Sequence, residues 1–119
     1  MMEYNLGPVE GKFADIVWEN APLTTKRLVE LCGEALQWKR TTTYSVLKKL
    51  CDKGFFQMEN SLVTVLVSKE QYQSIQSRNF VNEKFHGSLP ALILSFGAEE
   101  KLSDSDIDEL QSIIDSMRG

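Results

Sequence analysis

Apolar residues recur at helical spacing near the start of the chain: Phe13, Ile16 and Val17, with Trp18 closing the run before Asn20-Ala21-Pro22 interrupts it. Pro8 stands where a helix can begin, because the amide it lacks has no partner in a first turn anyway, so a helix is expected over about residues 8–19. Thr24 is a candidate N-cap, its hydroxyl able to accept from a first-turn amide. Leu28, Leu31 and Cys32 follow on one face, predicting a second helix over about residues 25–32 that ends near Gly33. In the third segment, at about 100° per residue, Thr43, Val46, Leu47 and Leu50 fall within one arc. Thr41, Thr42, Tyr44, Ser45, Lys48 and Lys49 lie around the opposite side. One face is core and the other is polar and basic. Gly54 stops this helix, and residues 55–58 and 62–67 read as two short strands joined at Glu59-Asn60-Ser61.

The second half of the chain has a different pattern. Residues 69–85 are helix-compatible, with Tyr72, Ile75, Phe80, Val81 and Phe85 spread over more than one face, which predicts a helix buried on several sides. Leu89 to Phe96 forms a further apolar stretch, expected to be a short helix begun at Ser88 with Pro90 in its first turn. Ser103 and Asp106 have the spacing of a capping box. Ile107, Leu110, Ile113, Ile114 and Met117 then make the last helix amphipathic. So much apolar surface on a few thin helices is resolved most simply by a twofold partner, and these five residues are the expected dimerisation contacts.

Composition narrows the possibilities. At 119 residues and 42% hydrophobic, the chain can bury a core without disulfides or metal. The apolar run at residues 89–96 falls far short of the roughly 18 to 20 residues of a membrane span. The stretch MMEYNLGPVEGKF lacks the basic and apolar regions of a signal peptide, so no membrane insertion and a cytoplasmic location are expected. Cys32, Cys51 and His86 do not have zinc-cluster spacing. No Gly-rich phosphate loop and no nucleophile with an evident base appears. No cofactor, metal or enzymatic activity is expected, and the thiols are read as half-buried and inert.

Charge changes the picture. The net charge is −4, yet residues 1–69 carry nine basic and eight acidic side chains, whereas residues 70–119 carry four and nine. Within residues 38–53, Lys39, Arg40, Lys48, Lys49 and Lys53 face Asp52 alone. An acidic chain therefore presents one local basic surface, the footprint expected of a nucleic-acid site.

Three helices followed by a hairpin, with the third helix basic on its outer side, is the order of a winged helix-turn-helix. The expected fold is mainly α with a small β-hairpin wing: a winged-helix DNA-binding domain over residues 1–69 and a helical dimerisation region over residues 70–119. Its third helix would enter the major groove, where hydroxyls and an aromatic approach base edges and cations hold phosphates.

The stretch W-K-R-T-T-T-Y-S-V-L-K-K-L-C-D-K-G-F-F at residues 38–56 resembles the recognition-helix block of the penicillinase repressor family, the BlaI/MecI type. The resemblance extends to E-x-x-x-A-D-I-V-W from Glu10, S-K-E-Q-Y after the hairpin, R-N-F-V from Arg78 and L-x-D-x-D-I-D-E-L from Leu102. It implies a homodimeric repressor on a palindromic double-stranded operator, with interlocking C-terminal helices. It further implies that Thr41, Thr42, Tyr44 and Ser45 face bases, and that Arg40, Lys48 and Lys49 face bases or phosphates. A sensor-activated peptidase would be a second partner, cutting between Ser95 and Phe96. The chain departs from the family pattern at three places: Ser95 replaces an asparagine of the beta-lactam-responsive members, Gly11 a common tryptophan, and the wing, residues 58–67, has no Lys or Arg. That bare wing and the net charge of −4 also fit an alternative, a winged-helix module that binds protein and has lost DNA.

Overall fold

The computed structural model describes residues 5–118; the first four residues of the N-terminal stretch read above lie outside them, as does Gly119. Among the described residues, six helices and three strands follow one another as α1 (Pro8–Asn20), β1 (Leu23–Thr24), α2 (Thr25–Leu36), α3 (Arg40–Asp52), β2 (Phe56–Glu59), β3 (Leu62–Val65), α4 (Lys69–Phe85), α5 (Leu89–Glu99) and α6 (Asp104–Met117). The chain forms two compact units, residues through Ser77 and residues from Arg78 onward. The division falls inside α4.

The first unit is a winged helix. Phe13, Ala14 and Val17 of α1, Leu28 and Cys32 of α2, and Leu47 and Leu50 of α3 meet Phe55, Phe56 and Val63 in one buried cluster. Each large side chain so buried stabilises the unit by about 1.5–3 kcal/mol. The Trp18 indole N–H donates to the Val67 carbonyl at 2.9 Å, tying α1 to the end of the wing. The Tyr72 ring packs on Trp18 and Phe55, with centroids 5.7 and 5.6 Å apart.

Several local signals act as expected, and three expectations are corrected. Thr24 Oγ1 accepts from the Arg27 amide at 3.1 Å, and Ser88 and Ser103 cap α5 and α6 through the amides of Ala91 and Asp106. Helix α2, however, runs past Gly33 to Leu36 and ends at Gln37 in the left-handed region, φ 56°; packing on α1 and α3 outweighs the modest cost of one helical glycine. The wing is also more than a hairpin. β1 pairs antiparallel with β3, Leu23 opposite Val63 and Thr24 opposite Leu62, giving the order β1-β3-β2. Asn60 and Ser61, at φ 53° and 62°, turn the hairpin in the conformation whose twist suits the flanking strands.

The third correction concerns α4. Its length matches expectation, but it has no buried residue, and Phe80 is half exposed. His86 and Gly87 follow it with positive φ, and the Gly87 amide returns to the Val81 carbonyl at 3.1 Å, closing the helix end. Neither α5 nor α6 has a buried residue.

Candidate nucleic-acid interface

Helix α3 is built as a footing and a face. Thr43, Leu47 and Leu50 are buried, and the Thr43 hydroxyl is satisfied by donating to the Lys39 carbonyl at 3.2 Å. With that side fixed to the core, the helical period sets the direction of every other side chain. Arg40, Thr41, Thr42, Ser45, Lys48 and Lys49 are exposed, and Tyr44 is half-buried.

The structure divides the candidates that periodicity groups together. Thr41, Ser45 and Lys48 are exposed, and Lys48 makes no ion pair among the described residues. On one flank, Tyr44 leans toward α2: its hydroxyl accepts a hydrogen bond from Thr25, and the Arg40 guanidinium sits 5.5 Å from its ring centroid. The Thr25 bond, with a smaller contribution from Arg40, holds the Tyr44 phenol below its ordinary pKa. Beside this pair, an open cleft of about 520 Å³ is lined by Thr24, Thr25, Lys26, Val29, Glu30, Arg40, Tyr44 and Ser61. Lys26 is a cation that sequence patterning does not pick out. It stands in the first turn of α2, one helix before the basic run, and only the fold brings it to the same cleft as Arg40.

On the other flank, Lys49 turns toward α1. Its Nζ lies 3.2 Å from Oε2 of Glu10, and Lys53 Nζ lies 3.5 Å from the same oxygen. Glu10 Oε1 accepts from the Gly7 amide at 3.1 Å. That backbone bond, aided by the two lysines and opposed by partial burial, keeps the Glu10 carboxyl below the usual carboxylate range. Lys48 and Lys49 are neighbours in sequence and differ in electrostatic state.

The wing offers no cation to a phosphate. In the β2–β3 register Gln57 opposes Thr64 and Glu59 opposes Leu62, so the face turned away from the core is neutral to acidic. Leu62 and Leu66 stand exposed. Gly11 has open space around it, with nothing within 4 Å of where a Cβ would sit.

In the second unit, Ile107, Ile113, Ile114 and Met117 of α6 are exposed and Leu110 is half-buried. Ile107, Leu110 and Ile114 line a groove with Ile93 of α5 and Leu102. Ser95 and Phe96 are both exposed and lie inside α5. No helix among the described residues is long and apolar enough to cross a membrane.

Comparison with known proteins agrees with this arrangement. The family described as Penicillinase repressor matches residues 6–116. The methicillin resistance regulatory protein MecI of Staphylococcus aureus strain Mu50 is 26% identical over 115 residues, covering 93% of this chain and 94% of the relative. The MecI protein of Mammaliicoccus sciuri is 25% identical over the same extent. The penicillinase repressor of Bacillus licheniformis is 22% identical over 104 residues, covering 84% and 81%. With its winged-helix unit and a match that runs through the helices beyond it, the chain belongs to the penicillinase repressor family.

Proposed function

We propose that this protein is a homodimeric transcriptional repressor of the cytoplasm that binds a palindromic operator by laying α3 in the major groove. The observation that carries the reading is the face of α3: hydroxyls and cations projecting from a helix whose opposite side is anchored by three buried residues. In this reading Thr41, Thr42, Tyr44 and Ser45 face bases. Arg40, Lys48 and Lys49 face bases or phosphates in the same reading. The apolar residues of α6, namely Ile107, Leu110, Ile113, Ile114 and Met117, supply the dimer contacts, and twofold symmetry then dictates an inverted repeat. Induction by a sensor-activated peptidase belongs to the same reading. The Ser95–Phe96 bond is exposed but helical, so cleavage requires α5 to unwind locally.

Selection of bound duplexes from a random library tests the proposal. An enriched inverted repeat with half-sites about one helical turn apart, roughly 34–36 Å, is the expected result. The wing's cation-free outer face favours one other reading, a module that binds protein in place of DNA. A folded, dimeric protein that enriches no sequence would overturn the first reading and favour the second.

A further inference from the structure

Glu10 couples the first helix to the DNA-facing helix. Its carboxylate is pinned at the start of α1 by the Gly7 amide and lies within 3.2 and 3.5 Å of two lysines of the basic run. The side chain is 16% exposed, whereas that of Lys49 is 61% exposed. Lys53 has a further hold on the same flank, donating to the Asn5 carbonyl at 3.3 Å. One fixed carboxylate thus serves two cations.

The consequence for DNA follows from counterion release. A lysine that neutralises a phosphate contributes roughly −0.9 to the slope of log K against log salt. A lysine already compensated by a carboxylate 3.2 Å away contributes less. Moving it to a phosphate deprives a largely shielded carboxylate of its partner, and that loss opposes the gain. Lys48, one residue earlier, has no such competitor among the described residues.

We propose that Glu10 is an affinity-limiting residue of the DNA interface: it withholds Lys49 and Lys53 from the DNA backbone and leaves Lys48 as the phosphate-binding lysine of α3. The inference rests on the DNA-binding reading above. Its physical content is competition, inside one chain, between a carboxylate and a phosphate for the same ammonium groups. A repressor limited in this way gives up non-specific affinity, which is mostly phosphate contact, and keeps the base contacts that discriminate.

The test measures binding of the full chain to a labelled random-sequence duplex of about 30 base pairs across a salt series, long enough to cover two half-sites. The variants are Glu10→Gln, Lys48→Ala, Lys49→Ala and the double variant Glu10→Gln/Lys49→Ala. Glutamine at position 10 still accepts the Gly7 amide, and thermal unfolding confirms the fold. Glu19→Gln, on the exposed end of α1, controls for the change in net charge. Glu10→Gln is expected to tighten binding about threefold or more and to steepen the slope by up to about 0.9 for each lysine released per protomer. Lys48→Ala flattens the slope by about that amount, Lys49→Ala leaves it nearly unchanged, and the double variant loses part of the gain. A wild type that binds while Glu10→Gln matches Glu19→Gln, or while Lys49→Ala loses as much as Lys48→Ala, overturns the inference and leaves the DNA-binding reading intact. No binding by any variant, with folding confirmed, overturns both.

Discussion

Phe13, Phe55 and Phe56 in the N-terminal unit are at most 1% exposed, whereas Leu94, Phe96, Ile114 and Met117 in the C-terminal unit are between 55% and 77% exposed. The two regions draw on the same kinds of side chain and differ in whether those side chains find partners within the chain. Three helices crossing over a small sheet enclose a volume, so the first unit saturates its own core. In the second unit α5 and α6 each carry an apolar stripe, and neither has a buried residue. Contiguous exposed apolar surface of this kind marks an interaction site. Under the proposed reading, a second copy supplies the missing half of the core.

The largest expected effects test that contrast directly. Phe55→Ala removes a fully buried ring from the closed core and is expected to cost about 3–5 kcal/mol in urea unfolding of the N-terminal unit. A loss under about 1 kcal/mol would mean that the core is not close-packed around it. Ile113→Asp should do the reverse. It leaves the urea midpoint of the N-terminal unit in place, converts the dimer to monomer in sedimentation, and weakens operator binding by about tenfold or more, since one half-site is then gripped alone. A dimer of unchanged stability would remove α6 from the interface.

The same contrast explains which features can be read from the sequence. Local signals survive: the caps at Thr24, Ser88 and Ser103 each lie within three residues of the amide they satisfy. The buried footing of α3 follows from period alone. Features that depend on distant partners do not survive. β1 is two residues long and exists because β3 lies beside it. α2 continues through Gly33 because its neighbours hold it. Lys49 is claimed by Glu10, 39 positions away and on another helix, and no spacing rule reports that. The faces of α4 look like those of a buried helix because periodicity shows apolarity and does not show what covers it.

A smaller effect sharpens the view of the interface. Tyr44 ionises below the ordinary phenol range chiefly because Thr25 donates to its oxygen. Thr25→Val removes that donor, so the Tyr44 phenol should titrate at higher pH in difference absorption, with Arg40 providing the residual lowering. The freed ring also loses one constraint on its orientation. Sequence preference in the selected operators should then broaden at the positions Tyr44 faces, while the salt slope, set by the cations, stays as it was. An unchanged phenol titration would show that the Thr25 contact does not persist in solution.

The mildest effect uses the cysteines, since both lie in the closed unit and none lies in the open one. Burial raises the Cys32 thiol above its ordinary pKa, partly offset by a side-chain hydrogen bond with Thr43. Burial, with Asp52 close by, raises Cys51. A raised thiol pKa means that the folded protein keeps a proton the unfolded chain gives up. The stabilisation this provides is complete below the ordinary thiol range and disappears as pH climbs through and beyond it. The urea midpoint of the N-terminal unit should therefore slip as pH rises past about 8.5, and the Cys32→Ala/Cys51→Ala pair should show less of that slip. Because the thiolate is the reactive form, disulfide reagents at neutral pH should label both sites slowly. The rate should rise in step with unfolding of this unit. Rapid labelling of Cys51 in the folded protein would instead mean that the end of α3 opens on its own, and the closed half of the molecule would be less closed than its buried phenylalanines indicate.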